Sequence, residues 1–179
     1  MRKFVLVLLA VLVAVAASAS ASGQSLDKPT RISVFVSNPG WNEGAGAGYG
    51  LAVERRFSRM WSVELAVASE KHDVQPFFFN PTTYELSTTP IDLVGRYSFQ
   101  VSHPRWRPYI GAGARYVAAP DEPPNQEYEN ELTPEVTGGV EFNGGESWSV
   151  RFDLKQLISD SLPDYDEWIK GSIAVGWRF

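Results

Sequence analysis

From Thr30 to the end of the chain, apolar and polar residues alternate with a period of two, interrupted by polar or glycine-rich intervals. Ile32, Val34 and Val36 stand against Arg31, Ser33, Phe35 and Ser37; Tyr49, Leu51, Val53, Arg55 and Phe57 stand against Gly48, Gly50, Ala52, Glu54 and Arg56. Trp61, Val63, Leu65 and Val67 oppose Ser62, Glu64, Ala66, Ala68 and Glu70. Ile91, Leu93, Tyr97 and Phe99 oppose Thr88, Asp92, Arg96 and Ser98, and Ile110, Ala112, Ala114 and Tyr116 oppose Tyr109, Gly111, Gly113 and Arg115. Val136, Val140 and Phe142 oppose Glu135, Thr137 and Glu141; Trp148, Val150, Phe152 and Leu154 oppose Ser149, Arg151, Asp153 and Lys155. The final run sets Ile169, Ile173, Val175, Trp177 and Phe179 against Lys170, Ser172, Ala174, Gly176 and Arg178. Successive residues of a strand point to opposite faces, so each run has one apolar face and one small or charged face. The period is that of strands and not of helices.

These eight runs are joined by intervals that alternate between short and long. The breaks near Ser58, Ser102 and Gly144 are brief, whereas 38–46, 72–83, 118–131 and 159–167 are extended. The Asn143-Gly144-Gly145-Glu146 interval reads as a tight turn in which glycine supplies positive φ. An even number of antiparallel strands with this loop asymmetry predicts an all-β fold: an eight-stranded up-and-down transmembrane β-barrel with short periplasmic turns. The last run is about as long as a tilted spanning strand, roughly 9–11 residues, and ends on an aromatic residue.

A secreted soluble barrel shares the strand count, and the aromatic residues separate the two. Phe57, Trp61, Tyr97, Phe99, Trp106, Phe142, Trp148, Trp177 and Phe179 all lie beside short turns and on the apolar parity. Such residues form a girdle at one membrane interface, where amphipathic rings sit well between lipid and water. The opposite parity carries Glu54, Arg56, Glu64, Asp92, Arg96, Arg115, Glu135, Glu141, Arg151, Asp153, Lys155, Lys170 and Arg178. With the apolar face turned to lipid, these charges are expected to form a network within the lumen.

Upstream, Arg2 and Lys3 precede an apolar run from Phe4 to Ala17 and the small residues Ser18 to Ser22. This order predicts a signal peptide over 1–21, cleaved after Ala19 or Ala21, ahead of a barrel domain over 22–179. Removing Arg2 and Lys3 from the 16 basic residues leaves 14 against 21 acidic ones, a net charge of −7 that argues against a nucleic-acid partner. There is no cysteine, so stability must come from burial or lipid.

Chemistry finds little support. A hydrolase would need a nucleophile beside an oriented base. The two histidines, His72 and His103, stand in no recognisable spacing with a serine, and Ser69 lies on the apolar parity. The acidic intervals, Asp121, Glu122, Glu127, Glu129 and Glu131 and then Asp160, Asp164, Asp166 and Glu167, match no defined metal-binding loop. No catalytic residue, metal site or cofactor is expected. Phe77, Phe78 and Phe79, with Trp41, form a candidate apolar lip that would pack on the rim or admit a small apolar ligand.

Thr89-Pro90, then Tyr97-Ser98-Phe99, then Arg107-Pro108-Tyr109-Ile110-Gly111-Ala112-Gly113 resemble the fourth and fifth strands of the OmpW family. The string from Pro108 to Gly113 also resembles the broader OmpA-like transmembrane barrels. The resemblance implies an eight-stranded barrel in the outer membrane of a Gram-negative-type bacterium. Its implied partners are outer-membrane lipid, lipopolysaccharide and the barrel assembly machinery, which would read the C-terminal strand. OmpW-like barrels are implicated in passage of small apolar molecules through an apolar lumen, whereas the inward parity here is charged. The leading expectation is a non-enzymatic envelope protein or minor small-molecule route. A surface-interaction protein acting through its acidic loops is the alternative, beside an OmpW-type channel for apolar molecules.

Overall fold

β-Branched and aromatic residues crowd the alternating runs, and in the computed structural model each run is a strand. The structure describes residues 29–38, 47–74, 84–103, 105–118, 130–158 and 169–179. The signal segment, Trp41, Phe77, Phe78, Phe79 and the centres of both acidic intervals lie outside them.

Nine strand segments are present among the described residues: β1 (Thr30–Asn38), β2 (Ala47–Arg56), β3 (Trp61–Val74), β4 (Tyr84–Thr88), β5 (Pro90–Ser98), β6 (Trp106–Val117), β7 (Glu131–Asn143), β8 (Trp148–Leu157) and β9 (Ile169–Arg178). They occupy eight positions. β4 and β5 both pair with β3 in one unbroken register: Glu70 faces Thr88 and Val67 faces Ile91, so no residue is gained or lost across Thr89. The interruption falls at Thr89, beside Pro90, whose nitrogen has no hydrogen to give the ladder. Sequence neighbours pair antiparallel all round, and β1 pairs with both β2 and β9, closing the sheet into an eight-stranded barrel without free edges.

One expected loop is shorter than the sequence suggests. The Pro-Phe content of 72–83 predicts a loop from His72, yet β3 continues through Val74, while β4 begins at Tyr84, where the expected loop ends. The turn at Gly144 also forms for a different reason from the expected one. Neither Gly144 nor Gly145 has left-handed backbone; a Cβ on Gly144 would instead overlap the Trp148 indole. The glycine makes room for a girdle ring to fold over the turn.

The faces sort by parity. Ile32, Val34, Leu51, Leu93, Ile110, Phe152 and Ile173 are exposed on the outside, while Arg31, Glu54, Glu64, Arg96, Glu135 and Arg151 are buried inside. This inverts a soluble protein, and it suits a wall between lipid and a filled interior. Two glycines also accommodate inward aromatics: Phe35 lies across from Gly50 and Tyr109 across from Gly139, each ring occupying the space of the missing Cβ.

Candidate functional site in the barrel lumen

Charged inward residues come from all eight strand positions, so the network is assembled from eight directions. It divides into three tiers between the short turns and the long loops.

The middle tier centres on Glu64 of β3. Arg96 of β5 donates through both terminal nitrogens, one to each Glu64 oxygen, at 2.6 Å. Arg151 of β8, on the far side of the lumen, donates to the same two oxygens. Arg151 also donates through Nε to Asp153 at 2.8 Å, and Arg31 stands 3.6 Å from Glu64. The Arg96 guanidinium lies 5.1 Å above the Tyr109 ring, a cation–π contact. Bidentate pairing of this kind offsets the large cost of taking ions out of water, which an unpaired ion would bear in full.

Towards the long loops, Arg115 joins Asp92 and Glu70, donating to them at 3.1 and 3.0 Å. Lys155 donates to Asp92 at 2.6 Å and Lys170 to Glu70 at 3.0 Å. Glu135 is the exception: its side chain is fully buried, its nearest cation is Lys155 Nζ at 3.9 Å, and neither oxygen accepts a hydrogen bond. Towards the short turns, Glu141 accepts from Arg56 on both oxygens, at 3.1 and 3.0 Å, and also from Arg178. Arg31 Nη1 stands 2.7 Å from its other oxygen. Glu54 pairs with Arg31 and Arg56.

All thirteen charges named from the sequence point into the lumen. Arg31 and Glu70 belong with them and were left out, although parity could have found both: Arg31 shares its face with Ser33, and Glu70 with Glu64 and Ala66. A cavity of about 20 Å³ among Glu70, Asp92, Arg115, Lys170 and Ser172 has room for a water molecule or two. Among the described residues no cluster of His, Asp and Glu is arranged to hold a metal ion.

Outside, the nine aromatics run along the short-turn end. Trp61 and Tyr97 have ring centroids 5.0 Å apart, Tyr97 and Phe99 5.2 Å, Trp106 and Phe142 4.9 Å, and Phe142 and Trp148 6.5 Å. Trp148 and Trp177 are cross-strand partners, and Phe57 and Phe179 are exposed. The tilted and edge-on contacts are those favoured by aromatic rings. The backbone nitrogen and oxygen of Phe179 both pair with Thr30, fastening the last residue to the first strand.

Residues 6–179 match the family described as the outer membrane protein beta-barrel domain. Among solved structures, the N-terminal β-barrel domain of Pseudomonas aeruginosa OprF is similar with a TM-score of 0.63 at 16% identity, over 84% of this chain and 96% of that one. The outer membrane protein OprG of the same organism gives 0.57 at 14%, over 84% and 95%. The Yersinia pestis outer membrane protein Ail, in a phospholipid bilayer nanodisc, gives 0.57 at 13%, over 84% and 98%. At such identities the likeness is one of fold. No curated protein matches the sequence.

Proposed function

The chain belongs to the outer membrane protein beta-barrel family, and we propose that this member is a non-enzymatic envelope barrel whose lumen is closed to steady ion flow by its own charges. The observation that carries the reading is Glu64, held at once by Arg96 and Arg151 from opposite walls. An eight-stranded barrel is only wide enough for side chains to fill, and this bridge crosses it. A charged interior also disfavours an apolar solute, which would have to displace ion pairs with nothing to replace them.

The C-terminal strand, ending in Trp177 and Phe179, is the segment we assign to recognition by the assembly machinery, and the apolar outer face the segment that meets lipid and lipopolysaccharide. Purified protein in planar bilayers is expected to show little or no steady conductance. The double substitution Arg96→Ala, Arg115→Ala removes cations from two tiers and is expected to raise it. A large, stable single-channel conductance in the unmodified protein would defeat the closed-lumen reading and favour the transport one.

A further inference from the structure

At the short-turn mouth of the lumen, positive charge exceeds negative. Arg31, Arg56, Arg107 and Arg178 gather around two carboxylates, Glu54 and Glu141. A carboxylate has about four lone-pair sites. Those of Glu141 are taken by Arg56 on both oxygens, by Arg178 on one and by Arg31 on the other. Arg107 lies directly across the β6–β7 pair from Glu141, yet its side chain makes no hydrogen bond or ion pair among the described residues. Glu141 has nothing left to offer it.

The surplus is compounded by repulsion. Arg107 is repelled by Arg56 and Arg31, and Arg178 by Arg56, Arg31 and Arg107; Glu54 attracts both, and Arg178 alone is also paired with Glu141. Two further donors are stranded: Nε of Arg31 and Nε of Arg178 are buried without an acceptor. Arg107 is half-buried and Arg56 has 15% of its side chain exposed, so the cluster opens to water at this end.

We propose that this mouth is a binding site for a phosphate-class oxyanion, held by Arg107 with help from Arg56 and Arg178. Two uncompensated positive charges attract phosphate anions, whether the single charge of a diester or the higher charge of a free phosphate. A planar guanidinium fork gives phosphate oxygens two parallel hydrogen bonds, which chloride cannot use. The phosphate belongs either to a free solute at the periplasmic face or to a lipid headgroup reaching round the rim. The site does not depend on whether the lumen conducts.

The test is thermal unfolding of the intact barrel in zwitterionic detergent, with pyrophosphate as probe against sodium chloride at matched ionic strength. Ligand that binds only the folded state raises the midpoint in a saturable way. Pyrophosphate is expected to do so, and Arg107→Gln to weaken the apparent affinity by about tenfold or more, as loss of a charge-assisted bidentate contact implies. Arg107→Lys keeps the charge without the fork and is expected to restore only part of it. Arg59→Gln, in the neighbouring turn, should leave it unchanged. A parallel arm uses nanodiscs of phosphatidylcholine with and without phosphatidylglycerol, no pyrophosphate being present. Stabilisation by phosphatidylglycerol that is lost in Arg107→Gln identifies a headgroup as the source; a response to pyrophosphate alone identifies a free anion. If both probes act no differently from chloride or phosphatidylcholine, or act equally on Arg107→Gln, the site does not exist. If Arg107→Gln fails to give heat-modifiable barrel, Arg107→Lys carries the comparison.

Discussion

Arg107 and Glu135 are both inward charges on neighbouring strands, and both lack a hydrogen-bonding partner, but they occupy opposite ends of the lumen. Arg107 sits at the short-turn mouth and is only half-buried. Glu135 lies towards the long loops with no exposed side-chain surface and Lys155 at 3.9 Å. An unpaired charge in contact with water has little desolvation to recover, so it is free to take a ligand. An unpaired charge cut off from water is mainly a cost. A charge without a hydrogen-bonding partner is therefore an opportunity in one tier and a liability in the other. Glu64, with two bidentate arginines, is the saturated reference between them.

The comparison rests on pairing being what makes a buried lumen charge tolerable, and Glu64→Ala tests that most severely. It strips Arg96 and Arg151 of their shared partner, leaving Arg96 only Glu54 at 3.6 Å and Asp153 at 3.7 Å, and Arg151 its existing contact to Asp153 at 2.8 Å. Loss of about 3–5 kcal/mol is expected, the range for breaking a buried pair. Urea unfolding in detergent micelles measures it, and a loss below about 1 kcal/mol would show that water already solvates this tier.

A charge on the outer face has no pairing to call on at all. Leu93→Arg, mid-strand and exposed to lipid, is expected to cost about 2–4 kcal/mol in bilayers. Phe57→Arg, at the girdle, should cost about 0–1 kcal/mol, because the interface hydrates it. Equal costs at the two depths would contradict the placement of the girdle at an interface.

The outer half of this comparison was legible in the sequence and the inner half was not. Parity alone separates Leu93 from Asp92, and the alternation of short and long intervals predicts both the closed barrel and the end at which Trp61, Trp106, Trp148 and Trp177 gather. Parity also says that Arg107 and Glu135 point inward. It cannot say which carboxylate is already full, because that depends on register across several strands: Glu141 is shared by residues from β1, β2 and β9. The turn at Gly144 shows the same limit. Its position follows from composition, but its reason, the Trp148 ring lying over the glycine, is tertiary.

Glu135→Gln probes the costly end. The amide keeps the shape while removing the charge, and Lys155 retains Asp92 as its partner at 2.6 Å. Stabilisation of about 1–3 kcal/mol is expected, the penalty commonly attached to a buried group without a partner. If the substitution destabilises instead, Glu135 is engaged in the folded barrel and its likeness to Arg107 fails.

The smallest effect belongs to Arg107→Gln in the absence of phosphate. This side chain makes no ion pair that its removal would break, and its neighbours Arg31, Arg56 and Arg178 keep both of their carboxylates. Removing it also relieves repulsion within the cluster. The expected change in stability in chloride is within about ±0.5 kcal/mol, as for a surface substitution. The contrast with Glu64→Ala is the informative quantity, since both substitutions remove one charge from the same lumen. A loss of several kcal/mol at Arg107 would mean that it holds the short-turn tier together, and the distinction between a saturated and an open set of charges would have to be abandoned.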